Sequence, residues 1–557
     1  MVAMKVLSAV EMQACDRATT DRFGVSSLEL MGTASKAVAT FACEHFKHAH
    51  RVTVLCGKGN NGGDGMMAAR LMADAGLEVT TLLLGSPEEL KGDALVAWRQ
   101  LKNSGLANIQ VVNSADDLAH DDASRMVDLI VDAVVGTGFK PPLRGLALAA
   151  LEWAKAGSAP ILSVDLPSGW PSDETSATIK DPVFPSDAVV TFTAPKPAHV
   201  FGQLTRSWDQ PIVVAPIGSP EGAIISAQGL TWAGSAMELV QAPRTIAANK
   251  GNFGHVLVVG GSFGSAGGKS GAPAMTALAA LRSGAGLVTA AVPAPAMPMV
   301  AAVAPELMTL ALKANAEGQA TAENLEPGFV ERLTKGMTVL AIGPGLGQSP
   351  ETAKLALGLL SATKMPAVID ADALNILAAE KDLKAALGKI AKDGRTVVMT
   401  PHPGEMARLT SKSVAEVQAN RIEAARIFAR NNGVTLVLKG ARTLIAHPDG
   451  HVAVNTTGNP AMAKGGSGDL LTGVIAGMLA QYPKDAARAI ETAVYLHGLA
   501  ADLAVRELDE HTLLATDSLK EFSRAFRFRS RGKNGYVWLQ GLPAELLPDS
   551  GSHEAAE

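Results

Sequence analysis

Short runs of Val, Ile and Leu recur along the whole chain, each stopped by a glycine-rich or polar loop and followed by a helical stretch. In the first half the runs fall at 51–57, 79–84, 126–135, 161–165, 188–193 and 212–215. In the second half they fall at 255–260, 287–293, 338–342, 367–370, 396–400 and 435–438, with an apparent hairpin, 443–446 and 452–455, turned by Pro448-Asp449-Gly450. Continuous apolar runs predict strands covered on both faces. Their alternation with helices predicts parallel, doubly wound sheets with right-handed crossovers. A softer zone, 219–250, with one short helix at 235–241, parts the two series. The expectation is two α/β domains at 1–225 and 244–526, a linker at 226–243 and a flexible tail at 527–557.

Composition narrows the class. At 557 residues the chain exceeds what one ordinary core serves. A hydrophobic content of 47% with 55 Gly and 30 Pro suits glycine-rich α/β enzymes. Net charge is 49 − 54 = −5 without a basic block, which argues against a dedicated nucleic-acid binder. No apolar run reaches eighteen residues and the first residues lack a long apolar core, so neither a membrane span nor a signal peptide is expected. Cys15, Cys43 and Cys56 lack CxxC spacing and in-register His partners. They indicate neither a zinc site nor a disulfide framework, and a reducing cytoplasm is the simple reading.

In open α/β sheets ligands bind beyond the carboxyl ends of the strands, and there the loops are chemically loaded. The run 51–57 leads into Gly57-Lys58-Gly59-Asn60-Asn61-Gly62-Gly63-Asp64-Gly65, with a helix expected from Met66. Such a loop offers amides, a carboxylate and backbone N–H groups to a ligand bearing phosphate and carboxamide, although a capped turn would read similarly. Asp132 ends the third run, before Gly136, Thr137, Gly138, Phe139, Lys140, Pro141 and Pro142, a second loop able to hold phosphate. Asp165 ends the fourth, a candidate general acid or base, in Val164-Asp165-Leu166-Pro167-Ser168-Gly169. Asn61, Asp132 and Ser168 are hard oxygen donors that could hold a cation.

The second half carries Gly343-Pro344-Gly345-Leu346-Gly347, Asp370-Ala371-Asp372, Thr400-Pro401-His402-Pro403-Gly404-Glu405-Met406 and Lys439-Gly440-Ala441-Arg442-Thr443 at successive strand ends. His402 is stiffened by two prolines. The two cations near Gly440 suit a nucleotide. Gly267-Gly268-Lys269-Ser270 resembles the end of a P-loop, but Phe263 stands where the first glycine is required; 260–271 reads as a mobile glycine loop. In Asn459-Pro460-Ala461-Met462-Ala463-Lys464-Gly465-Gly466-Ser467-Gly468-Asp469, glycines enter a helix whose N-terminal N–H groups can cradle phosphate, with Asp469 beside the reacting group. A glycine-rich turn with a capping aspartate is the plain alternative.

Taken together and in order, Asn60–Asp64, 164–169, 400–406 and 459–473 resemble the bifunctional NAD(P)H-hydrate repair family over about residues 4–525. The resemblance implies a Rossmann-like three-layer epimerase domain followed by a ribokinase-like, ADP-dependent dehydratase domain. It implies that Asn60, Asn61, Gly62, Gly63, Asp64, Gly136, Thr137, Gly138, Phe139, Lys140, Pro141, Pro142 and Asp165 contact the hydrated dinucleotide. Potassium would lie on Asn61, Asp132 and Ser168. In the second domain Ala272, Gly345, His402 and Asp469 would contact the hydrate, and Lys439, Gly440, Ala441, Arg442, Thr443 and Gly468 would bind ADP with magnesium. Asp165 and Asp469 would be the catalytic residues, the substrates NADH hydrate and NADPH hydrate, and the assembly a homo-oligomer. The chain departs from the family pattern at Gly32-Thr33, in the longer loop 264–271, and at Lys464, which would add positive charge beside the phosphate loop. The same residues also admit a ribokinase-like small-molecule kinase with a fused dinucleotide-binding domain, or a non-catalytic dinucleotide sensor.

Overall fold

The computed structural model describes residues 3–119, 123–265 and 267–543. The chain forms two compact units, one holding Met4–Leu230 with the chain from Arg529 onward, the other Thr231–Phe528. Among the described residues no helix is long and apolar enough to cross a membrane.

The first unit is built on strands β1 (Arg51–Cys56), β2 (Glu78–Leu84), β3 (Asn108–Val112), β4 (Leu129–Ala133), β5 (Ile161–Val164), β6 (Ala188–Phe192) and β7 (Ile212–Ala215). All seven run parallel in the order β7-β6-β5-β4-β1-β2-β3. Both faces are covered, which is why the strand sequences do not alternate. Cys56 and Val54 of β1 meet Gly65 of the helix Asn60–Asp74. Leu55 between them packs in the cluster of Leu151, Trp153 and Ala154 from the helix Gly145–Lys155. The order reverses between β1 and β4, so their loops diverge to opposite faces and leave a crevice at the carboxyl edge. The helices Ala9–Phe23 and Ser27–His45 start at capping boxes, Ser8 with Glu11 and Ser26 with Glu29.

Two expectations fail here. The helix after β1 begins at Asn60, not Met66, so Asn60 to Asp64 lie on its first turns. A side chain at Gly62 would place Cβ 1.8 Å from Gly57 O, so only glycine lets the loop close this tightly. Nor is 527–557 a flexible tail throughout. Val537–Gln540 pairs antiparallel with β7, Trp538 and Leu539 are buried, and Tyr536 donates its hydroxyl to Ala37 O at 2.9 Å. Apolar burial along the β7 edge outweighs the loss of chain freedom. The polar end of that tail, 544–557, lies outside the described residues.

The second unit's sheet comprises β8 (Leu230–Trp232), where the chain passes from one unit to the other, and β9 (His255–Val259), followed after the short ladder β10 (Phe263–Gly264) and β11 (Gly267–Gly268) by β12 (Leu287–Pro293), β13 (Met308–Leu312), β14 (Val339–Ile342), β15 (Ala367–Ile369), β16 (Val397–Met399), β17 (Thr435–Leu438), β18 (Leu444–Ala446) and β19 (Val452–Val454). Its order is β13-β12-β9-β14-β15-β16-β17-β18-β19-β8, parallel from β13 to β17, with β18 antiparallel to both β17 and β19. The reversal falls between β9 and β14. The helix Ser467–Gln481 is buried from Leu470 to Ala480, as its all-round apolar sequence requires. It packs closely on Gly271–Arg282, where a Cβ at Gly473 would lie 2.0 Å from Thr276 O.

Residues 226–243 are no free linker either. Trp232 and Met237 are buried, Trp232 stacks edge-on against Tyr495, and its Nε1 donates to Thr456 Oγ1 at 2.8 Å. Likewise the stretch 260–271 is in part the β10–β11 ladder, its Phe263 N donating to Gly318 O.

Candidate active sites at the two switch points

In the first unit Asp165 sits immediately after β5 with φ 66°, a backbone region that non-glycine residues rarely adopt. Its carboxylate is the centre of a buried network. Lys196 Nζ lies 2.7 Å from Oδ1 and Thr191 Oγ1 2.9 Å from the same atom. Thr137 donates its N–H to Oδ2 at 3.1 Å and its hydroxyl to the same oxygen. His199 Nε2 lies 2.7 Å from Asp165 O. Burial pushes the carboxyl up, but the Lys196 ammonium and the hydrogen bonds from Lys196 and Thr137 override it and hold Asp165 well below the usual carboxylate range. Burial, then Lys196, pushes His199 down to about 4, so the imidazole is neutral at pH 7. Burial, then Asp165 and Asp16, raises Asp64 well above its ordinary value; burial also raises Asp16. One ionised acid, one lysine and two reluctant carboxyls therefore face each other beyond β5, β6 and the helix Asn60–Asp74, an arrangement able to take a proton from one group and return it to another.

Lys196 was not singled out from the sequence. Its signal is Pro195-Lys196-Pro197, a lysine between prolines at the end of β6, the strand next to Asp165's own.

Asp132, at the end of β4, is fully buried. It accepts from Ser168 N at 2.8 Å, Ser168 Oγ at 2.6 Å, Ser163 Oγ at 3.0 Å and Val134 N at 3.3 Å, all neutral donors. Burial pushes it up to about 6. Asn61 lies beside Gly136, and its Nδ2 is buried with no hydrogen-bond partner among the described residues. The structure thus joins Asp132 to Ser168 and sets Asn61 against the neighbouring loop. Of that loop, Thr137 reaches Asp165, Phe139 packs against the apolar core, and Lys140, Pro141 and Pro142 are exposed. The departure at Gly32-Thr33 faces outward, Thr33 being exposed and bonded to Glu29 O, whereas Met31 beside it is buried against Gly63.

In the second unit Lys439, after β17, reaches back to Asp370 Oδ1 at 2.9 Å and to Glu405 Oε2 at 3.8 Å. Burial opposes its charge, but these carboxylates win and raise its pKa. Thr472 Oγ1 donates to Asp370 Oδ2 at 2.8 Å. The helix Ser467–Gln481 starts at Gly466, φ 98°, with no side-chain cap. A Cβ on Gly468 would stand 3.4 Å from Lys439 Nζ. Backbone donors and an ammonium thus share one space, suited to an anion. Asp469 follows, half-buried, pushed up to about 6 by burial and then by Asp370. Gly345 and Ala272 meet, an added Cβ on the glycine lying 3.2 Å from Ala272 Cβ. Asp372 gathers Gly347 N at 2.9 Å, Gln348 Nε2 at 2.8 Å and Lys269 Nζ at 3.3 Å. His402 caps the helix Pro403–Thr410, Nδ1 accepting from Gly404 N at 3.0 Å; burial and Lys439 lower its pKa.

Two cations are not where the sequence suggested. Arg442 Nη1 donates to Thr456 O at 2.9 Å, and burial brings the guanidinium down to about 10, so it points into the protein rather than toward a phosphate. Lys464 Nζ donates to His511 O and Leu513 O and braces that loop. Both side chains satisfy backbone carbonyls of distant loops, a demand that local sequence does not reveal. The sequence motifs that contain Glu405 and Lys269 give neither residue a role; burial raises the Glu405 pKa.

Comparison with known proteins follows this division. A family model described as NAD(P)H-hydrate dehydratase matches residues 256–524, and one described as YjeF-related protein N-terminus matches 27–198. A bifunctional NAD(P)H-hydrate repair enzyme of Moorella thermoacetica is 39% identical over 523 residues, 93% of this chain and 95% of that protein. The enzyme of the same description from Escherichia coli is 35% identical over 532 residues, 93% of each chain. Among solved structures, an ADP/ATP-dependent NAD(P)H-hydrate dehydratase from Bacillus subtilis, co-crystallised with ATP and Mg2+, is 32% identical, covers 53% of this chain and 96% of its own, and gives a TM-score of 0.45. With such identity over nearly its full length, and with both family models in the same order, the chain belongs to the family of bifunctional NAD(P)H-hydrate repair enzymes.

Proposed function

We propose that the first unit interconverts the (6R) and (6S) epimers of hydrated NADH and NADPH and that the second dehydrates the (6S) epimer with ADP. The observation that carries this reading is that the carboxyl edge of each sheet couples a carboxylate to a lysine, Asp165 with the buried Lys196 and Asp370 with the half-buried Lys439, amid glycine-rich loops. In the first site Asp165 takes the C6 hydroxyl proton as the N1–C6 bond breaks to leave an aldehyde at C6, passes that proton to N1, and takes it back and returns it to the oxygen when N1 attacks the other face of the aldehyde, with Lys196 keeping the carboxylate ionised. Asn60 to Asp64 and Gly136 to Pro142 bind the dinucleotide. Asp132 and Ser168, with Asn61, would hold a potassium ion. The fit rests on Asp132, a buried carboxylate whose partners are all uncharged.

In the second site hydroxide is a poor leaving group; ADP, when bound, would supply a phosphoryl group to the C6 oxygen with release of AMP, so that phosphate rather than hydroxide leaves C6 as the C5 proton is lost. Gly468 N–H and Lys439 neutralise phosphate charge, and the Gly440 to Thr443 backbone lies against the nucleotide. Asp469, ionised above about pH 6, removes the hydroxyl proton. Asp469 would offer a carboxylate to magnesium beside Asp370. Ala272, Gly345 and His402 border the hydrate.

Incubation of the chain with resolved (6S)-NADH hydrate and ADP, followed by the absorbance of the reduced nicotinamide, tests the dehydratase. The same assay on the (6R) epimer tests the epimerase. Nucleotide turnover without recovery of reduced nicotinamide would replace this reading with a small-molecule kinase, and binding without turnover would replace it with a sensor.

A further inference from the structure

We propose that His447, His451 and Glu491 form a site for a divalent transition ion of the zinc class, separate from both catalytic centres. His447 follows β18 and His451 precedes β19, on either side of the turn Pro448-Asp449-Gly450. His447 N donates to His451 O at 2.8 Å and Gly450 N to His447 O at 3.0 Å, which closes the turn. The two rings therefore leave the hairpin on one side, nearly parallel, with centroids 5.8 Å apart. Glu491 meets them from the buried side of the helix Ala486–Ala504. One ligand atom from each of the three lies within 4.8 Å of the others.

His447 Nε2 and Glu491 Oε1 are 3.0 Å apart. Two ligand atoms about 2.0 Å from a tetrahedral ion stand roughly 3.3 Å apart, so this pair is already at ligand spacing and His451 needs only a small ring movement to join it. The remaining ring nitrogens are held as metal-bound histidines require. His447 Nδ1 lies 3.4 Å from Thr435 Oγ1, and His451 Nε2 lies 2.6 Å from Thr231 Oγ1, leaving His451 Nδ1 to face the ion. Charge points the same way. Glu491 is buried, and its carboxylate's one hydrogen bond among the described residues comes from His447. Arg426, the nearby cation, is bonded to Glu423 and Gly450 O. Three protein ligands and a water complete a four-coordinate ion. His447 follows β18 at the opposite end from the Lys439–Thr443 loop, so the ion acts as a clamp between the β18–β19 hairpin and the helix behind it. The competing account is a plain His447–Glu491 hydrogen bond with His451 as a bystander.

The full chain, stripped with chelator, is titrated with Co2+ as a spectroscopic substitute for zinc and desalted before elemental analysis. The expected result is about one ion per chain, with the visible bands of four-coordinate cobalt, in the presence of excess Mg2+ and K+. His447→Ala and His451→Ala should each weaken binding at least tenfold while both enzyme activities persist, and Thr435→Val should weaken it about tenfold. Asp469→Asn should bind as the parent does. His451 is half-buried, so its variant stays informative if His447→Ala fails to fold. No ion retained by the parent chain, an unchanged His451→Ala, or loss of the ion in Asp469→Asn would each overturn the proposal.

Discussion

Lys196 Nζ and Asp165 Oδ1 stand 2.7 Å apart with side chains only 2% and 10% exposed, and this buried ion pair organises the first site. Water screens such a pair weakly, and removing one partner leaves the other charge unpaired. Asp165 is held below its unfolded value, so its stabilising contribution is present above about pH 4 and lost as pH falls toward the folded value. In Lys196→Met the Asp165 pKa rises, because burial is then opposed only by His199 and the Thr137 hydrogen bonds. The variant should lose about 3–5 kcal/mol at pH 8 and recover part of it near pH 5. Thermal melts across that range check this, and a parallel parent-like profile would refute it. Its epimerase rate should fall, with the acidic limb displaced to higher pH.

Asp165→Asn should leave dehydration of the (6S) epimer intact and slow use of the (6R) epimer to the spontaneous rate. Separate progress curves on the two epimers decide this; equal use of both, above the spontaneous rate, would remove Asp165 from the mechanism.

For Asp469 the expectation is an acid-side loss. With its pKa pushed up to about 6, the ionised base vanishes below that pH, so the dehydratase rate should drop about tenfold per unit of pH beneath it. Asp469→Asn should abolish dehydration at every pH and spare epimerisation. A variant near parental rates would show that another group takes the proton.

Gly468 tests the phosphate cradle without disturbing the fold. An added methyl would rest 3.4 Å from Lys439 Nζ and 3.9 Å from Asp370 Oδ2, ordinary contacts, yet it would occupy the space assigned to phosphate. Gly468→Ala should fold with unchanged melting temperature and raise the KM for ADP about tenfold, roughly 1.4 kcal/mol. An unaltered KM for ADP would move the nucleotide elsewhere.

The strand Val537–Gln540 should matter to the first unit alone. Trp538→Ala should destabilise that unit by about 3–5 kcal/mol, and the dehydratase rate should persist. A single melting transition of parental midpoint would contradict this.

Much of this was legible before any coordinates. Interior strand β14 is apolar at every covered position, and β1 and β17 at all but one, Thr53 and Thr435, so their sequences announce them. The edge strands β3 and β13 went unread because only the last residue of each is buried, which leaves polar residues such as Gln110 among the apolar ones. Asp165, Asp469 and the glycine loops were found because they end strands. Lys196 and Glu405 were not assigned, since their importance lies in what they face.

Sequence alone determined two successive α/β units, the strand ends that carry chemistry and the family, because periodicity, loop glycines and motif order are local properties of the chain. Only the tertiary structure decided that Arg442 and Lys464 turn inward, that Lys196 reaches Asp165 across 31 positions, and that His447, His451 and Glu491 converge. Charge pairing and burial depend on distances between residues far apart in the chain, and those distances exist only once strand order has set them.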